Sequence, residues 1–370
     1  MPSESHTAPY DALLVVSFGG PEKPDDVIPF LENVTRGRGI PPERLDEVAK
    51  HYVDFGGRSP INDQCRALVA AVRDDLLAHG IQLPIYWGNR NWDPYLGDTV
   101  ATMAANGIRR AAVFVTSAYS SYSGCRQYRE DLYDAVAATT TPTPRLDKLR
   151  HYFNHPGFVE AYTDTTSAAL DRLPVEQRDS ARLMFVTHSI PLAMAESAGP
   201  GGDAYVAQHL SVSSLVATEV GRRRGTSYDW DLVFCSRSGP PHVPWLEPDV
   251  NDHLVALSDS TASAVVVVPV GFVSDHMEVV YDLDTEAAAT ADRLGMTFER
   301  AAAPGTHPAF VATVRELLVE RAATESGADV DRRALGRMGP SWDVCASQCC
   351  PNPREARPAL CQQERREGSR

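Results

Sequence analysis

Four carboxylates, Asp275, Glu278, Asp282 and Glu286, recur at spacings of three, four and four residues, which on a helix stacks them along one face. Like charges so close weaken an isolated helix, so two readings compete: a path for a divalent cation through hard oxygen ligands, or a solvated face in an acidic protein. His276, beside Asp275, adds a nitrogen ligand to the first. His188 lies in Thr187-His188-Ser189-Ile190-Pro191, just past a short apolar run, where a neutral imidazole can take a proton or bind a metal. A lone histidine satisfied by backbone in a turn is the competing reading. Thiols are the third chemistry. Cys65, Cys125 and Cys235 stand alone, while Cys345, Cys349, Cys350 and Cys361 crowd the end of the sequence. With no export signal, that crowding points to metal binding rather than to disulfides.

These groups need elements to hold them. The β-branched run Ala264–Val268, closed by Pro269 and Gly271, is too short for a helix and predicts a buried strand ahead of the carboxylate row. Strands are also predicted at 13–18, 84–87, 111–116, 183–187, 230–235 and 297–300. Between them, helical periodicity covers 23–34, 42–53, 63–79, 95–106, 126–137, 157–173, 204–223, 249–258 and 308–322. This βα alternation predicts mostly parallel sheets with helices on both faces. Prolines and threonines at 139–145 interrupt the pattern, giving a first domain over 1–150 and a second over 151–305. A helix and linker follow over 306–340, then a Cys-rich extension over 341–370 whose end is expected to be disordered.

In such folds ligands bind outside the carboxyl ends of strands. The loops selected are 17–21, 88–92, 116–125, 187–191 and 271–282. Phe18 before Gly19 and Gly20 suits close approach of a flat ligand or an ordinary chain reversal. Tyr119, Tyr122 and Tyr128 suit ring stacking or interdomain packing. The dinucleotide, P-loop and hydrolase signatures are absent.

A net charge of −14 argues against a nucleic-acid partner and against adsorption to anionic lipid. Arg36, Arg38 and Arg58 are a local basic group that can hold an anionic small molecule. Arg222 to Arg224 before Gly225 suit a helix end. No apolar run approaches the roughly 20 residues of a membrane-spanning helix, and the expected location is the cytoplasm.

Taken together, SFGGP at 17–21, RGRG at 36–39, GGRSPIN at 56–62, YWGNRNWDP at 86–94, THSIP at 187–191, FCSRSGP at 234–240 and PVGFVSDHMEVVYDLD at 269–284 resemble the ferrochelatase family. The similarity runs from about Asp11 to Ala322. It implies two Rossmann-like lobes with a porphyrin in the cleft between them, and a lyase of haem biosynthesis that inserts ferrous iron. It implies that His188 and Glu278 are a facing pair that binds the metal and handles protons across the macrocycle, with Asp282 and Glu286 extending a relay. Ser59 and Tyr128 resemble porphyrin-contacting positions, and Arg36 and Arg38 suit the propionates. Phe18 stands where some bacterial members carry an axial tyrosine, which leaves His188 as the iron ligand in the product complex.

The chain resembles soluble bacterial members that act on coproporphyrin III, with a downstream haem-pathway enzyme as partner and no stable membrane association. Protoporphyrin IX is the alternative substrate, and a porphyrin or metal carrier without turnover is the alternative function. A related chelatase inserting cobalt or nickel into another tetrapyrrole is a third. Some members hold a [2Fe–2S] cluster through one mid-chain and three C-terminal cysteines. Four of Cys125, Cys345, Cys349, Cys350 and Cys361 would then be ligands; a zinc site or free thiols are the alternatives.

Overall fold

The computed structural model describes residues 6–360 except 38, 141, 240, 241, 260 and 261. Eight strands form two sheets: β1 (Ala12–Ser17), β2 (Ile85–Asn89), β3 (Arg110–Val115) and β4 (Arg145–Lys148) in the first, and β5 (Arg182–His188), β6 (Trp230–Cys235), β7 (Ala264–Val268) and β8 (Thr297–Arg300) in the second. Their orders are β2-β1-β3-β4 and β6-β5-β7-β8, every pairing is parallel, and the two lobes therefore share one topology. Helices α1 (Val27–Thr35), α2 (Pro42–Asp54), α3 (Ile61–Ala78), α4 (Leu96–Ala105) and α5 (Gln127–Ala137) belong to the first lobe. They are followed by α6 (Pro156–Arg172), α7 (Leu192–Glu196), α8 (Ala204–Arg224), α9 (Val250–Ser258), α10 (Ala288–Arg293) and α11 (Pro308–Glu325).

Alternation along the central strands explains why both sheets are covered on both faces. Ala12, Leu14 and Val16 face Val100, Met103 and Leu132 of α4 and α5, while Leu13 and Val15 join Leu68 and Val72 of α3. In the second lobe Met184, Val186, Val265 and Val267 meet Leu254 and Leu283, whereas Leu183, Phe185, Val266 and Val268 turn inward. The inward faces of both sheets share one apolar core with α6, α8 and α11, so strands with apolar residues on both sides are what buried parallel sheets require.

Three expectations are amended. β4, absent from the predicted strands, begins at the last residue of the 139–145 boundary stretch, with its polar Asp147 buried against Tyr10, Arg110 and Arg145. The carboxylate segment is π-helical over Val279–Ala287 rather than an ordinary helix. Asp275 precedes it in a loop and leaves the row. The end of α8 is as expected: Gly225 takes φ 71°, and the three preceding arginines pair with Glu219, Asp164 and Asp171.

Residues 326–360 contain no helix or strand, yet they are fastened to the first lobe. Arg150, buried, pairs with Glu320 and donates to the carbonyl of Arg333, and Leu360 N donates to the carbonyl of Arg129. Among the described residues no helix is long and apolar enough to cross a membrane.

Candidate active site

His188 is the last residue of β5, held between β6 and β7. Its neighbour Thr187 approaches Gly271 so closely that a Cβ there would lie 2.2 Å from the threonine hydroxyl, which only glycine tolerates. The Tyr205 hydroxyl of α8 donates to the His188 carbonyl at 2.8 Å and lies 2.9 Å from the Thr187 hydroxyl. The imidazole Nδ1 is engaged with the carbonyl of Ser189, which makes it an N–H donor, so that in the neutral ring Nε2 is the acceptor. Nε2 points at Glu278 Oε2, 3.6 Å away. His276 Nδ1 lies 3.7 Å from the same oxygen, and burial lowers its pKa, favouring the neutral ring.

Both partners of this pair come from the second lobe. They face one another across 3.6 Å. Behind Glu278, Asp282 is raised to about 7 by burial, against the hydrogen bond it accepts from Ser236 and with added repulsion from Glu278 and Glu286. Ser236 holds that position at φ 62°. Glu286 is exposed at the far end of the π-helical stretch. Asp275 instead accepts from Arg300 at 3.0 Å and from Gln64 at 3.3 Å.

The first lobe supplies an aromatic region. Phe18, at the end of β1, packs edge-on against Phe30 at 6.3 Å, and Phe30 meets Tyr52 and Trp92 at 6.0 and 6.3 Å. Met277, next to Glu278, is buried in this same cluster. Ser59 is buried and its N–H donates to the Pro21 carbonyl at 2.9 Å. Arg90 lies 4.5 Å over the Tyr128 ring and 5.8 Å over Phe18. Tyr128 itself is buried in the core against α4, so burial keeps its phenol protonated. Arg36 is exposed and bonded to Asn33; Arg38 lies outside the described residues.

Sequence reasoning missed the buried amides beneath this region. The Ser17 hydroxyl donates to Asn89, Trp87 Nε1 donates to Ser17 at 2.9 Å, and Asn89 donates to Asn62 at 3.3 Å. The available signal was a serine and an asparagine ending otherwise apolar strands.

The thiols gather elsewhere. Cys125 sits in the one-turn π-helix Tyr122–Arg126, and Cys345 is within hydrogen-bonding reach of both Cys125 and Cys349; those bonds lower its pKa. Cys349 and Cys350 sulfurs are 3.8 Å apart, Trp342 Nε1 donates to Cys345 at 3.0 Å, and Gly199 N–H donates to Cys350 at 3.1 Å. Cys361 lies outside the described residues. Among the described residues, no group of three or more His, Cys, Asp or Glu side chains is arranged to hold a single metal ion.

A family model described as Ferrochelatase matches residues 10–322. The chain is 57% identical over 367 residues to the coproporphyrin III ferrochelatase of Streptomyces coelicolor, covering 97% of this chain and 98% of that one. It is 58% identical to the protein of the same name from Streptomyces griseus, over 93% and 94% of the two chains. A third, from Frankia alni, is 56% identical over 94% and 88%.

Proposed function

The chain belongs to the ferrochelatase family, and from that premise we propose that it inserts ferrous iron into coproporphyrin III, with His188 and Glu278 as the groups that receive metal and protons. The observation that carries the assignment is His188 Nε2 3.6 Å from the Glu278 carboxylate, beside the aromatic cluster in which Met277 is buried. A free-base porphyrin carries two pyrrole N–H groups. Insertion breaks both N–H bonds, forms bonds from the ring nitrogens to iron and releases two protons, with no change in oxidation state. Glu278 accepts one proton and His188 Nε2 the other; Asp282, with its pKa near neutrality, and exposed Glu286 pass them outward. A site that fits the bent ring better than the flat one lowers the barrier, because bending exposes a pyrrole lone pair.

Coproporphyrin III is favoured by the names of three relatives above 55% identity that cover nearly the whole chain. Its propionates would meet Arg36 and Arg38, with Phe18 and Ser59 on the first-lobe side and Tyr128 buried behind them under Arg90. The enzyme is taken to work in the cytoplasm and to hand its product to a later enzyme of haem synthesis. Anaerobic insertion assays with coproporphyrin III and protoporphyrin IX test the substrate. Faster turnover of the first is expected; preference for the second overturns the substrate, and tight binding without insertion makes the protein a carrier.

The thiol group fits a [2Fe–2S] cluster on the donor set. Cys125, Cys345, Cys349 and Cys350 form a chain of sulfur contacts, and the N–H groups of Trp342 Nε1 and Gly199 donate to two of the sulfurs, as hydrogen bonds to ligand sulfurs do around such clusters. When bound, the cluster supplies thiolate cross-links between α5's leading turn and the C-terminal segment. Arg126 and Arg129 already hold that segment through the carbonyls of Ser347 and Cys349. C345S is expected to remove the visible cluster absorbance and lower Tm. An unchanged spectrum would remove Cys345 from the ligand set.

A further inference from the structure

The two members of the His188–Glu278 pair are anchored differently, one by its own lobe alone and the other by both lobes. His188 is fixed by its own lobe, through β5 and the Tyr205 hydroxyl. Glu278 belongs to the second lobe by sequence, but the segment leading to it is gripped by the first. The Asp275 backbone N–H donates to Gln64 Oε1 at 2.7 Å, and Gln64 Nε2 donates back to Asp275 Oδ2 at 3.3 Å. Gln64 lies on the first turn of α3, in the first lobe. Two residues on, Met277 is buried among Val27, Phe30 and Tyr52 of that lobe.

We infer that Gln64 is a positioning residue: by reading both the backbone N–H and the carboxylate of Asp275, it ties the approach of Glu278 to the first lobe. The 3.6 Å gap between His188 and Glu278 is then set from both lobes, by β5 on one side and by the Gln64 tie on the other. Arg300 completes the device. It donates to Asp275 at 3.0 Å and to Asp284 at 3.0 Å, so the loop before Glu278 and the π-helical stretch after it move as one piece. Hydrogen bonds to the segment leading to Glu278 matter here because small misplacements of a reacting group cost large factors in rate.

The inference rests on Glu278 as the proton acceptor proposed above, and the test separates the two. Q64A is expected to lower kcat for iron insertion about tenfold while leaving the porphyrin KM within about twofold, the signature of a lost transition-state placement. Q64M keeps the length of the side chain without its polar atoms and is expected to fall with Q64A; recovery of the wild-type kcat by Q64M would reduce Gln64 to packing and overturn the proposal. In a D275A background Q64A should cost less than about twofold, because both changes break one connection. Additive losses, or a Q64A variant altered in KM alone, would also overturn it. E278Q is measured alongside. If it stays active, the acceptor assignment has failed; if it is inactive while Q64A matches wild type, only the positioning role has failed.

Discussion

The two lobes repeat one strand order, so each strand end in the first has a counterpart in the second. β1 ends in Ser17, fully buried and bonded to Asn89 and Trp87; β5, its counterpart, ends in His188, a third exposed and with Nε2 turned to a carboxylate. β2 ends in buried Asn89, and the chain after β6 places Ser236 against Asp282. The first lobe closes its strand ends with neutral hydrogen bonds that hold a shape. The second leaves titratable atoms with partners they can exchange for protons or a cation. Topology therefore supplies equivalent positions, and side-chain chemistry distinguishes them: buried neutral amides on one wall, and on the other the titratable groups proposed to react.

Substitutions on the reactive wall should separate rate from stability most sharply. E278Q and H188A are each expected to lower iron insertion by about a thousandfold or more, on the scale of a lost general base, while porphyrin binding persists. Because Glu278 is half exposed, its Tm should move little. Retention of most activity in E278Q would erase the contrast.

The first lobe should answer in the opposite way. N89A removes an amide from a fully buried network and strands the groups of Ser17 and Asn62, a loss of about 1–3 kcal/mol. Urea unfolding should register it, with kcat changed only a few-fold in the protein that remains folded. A collapse of kcat at unchanged stability would place Asn89 with the reacting groups.

Much of this division was legible in the sequence. The valine-rich Ala264–Val268 and the run Trp230–Cys235 are strands at the predicted residues, since buried parallel strands need apolar faces on both sides. The Arg-Leu-Asp-Lys run of β4 was not legible, because its buried Asp147 is paired with Arg110 and accepts a hydrogen bond from Tyr10, both from distant parts of the chain. In the carboxylate row, spacing carried three members correctly and Asp275 wrongly. Gln64, the residue that takes Asp275 out of the row, lies 211 positions away, and no local periodicity reports it. The proximity of the pair was also hidden: the family pattern named His188 and Glu278, but only adjacency of β5 and β7 puts them on one wall.

The smallest predicted effect concerns a titratable group of the second lobe that stands outside the reactive wall. His209 is completely buried, stacked 3.6 Å from the ring of Tyr119 in the first lobe, with Nδ1–H donating to the Tyr205 carbonyl at 2.7 Å. Burial pushes its pKa down to about 3. The unfolded chain takes up a proton near the ordinary histidine value of about 6.5, and the folded one does not until far lower. Its contribution is thus complete above pH 6.5 and is lost as pH falls from there toward 3. At pH 5 the loss amounts to about 2 kcal/mol. H209F keeps the stack without the proton, so urea unfolding between pH 8 and 5 should show a shallower decline than wild type. If the two declines coincide, the acid sensitivity belongs to other groups, and the neutral role given to His209 at the lobe junction fails.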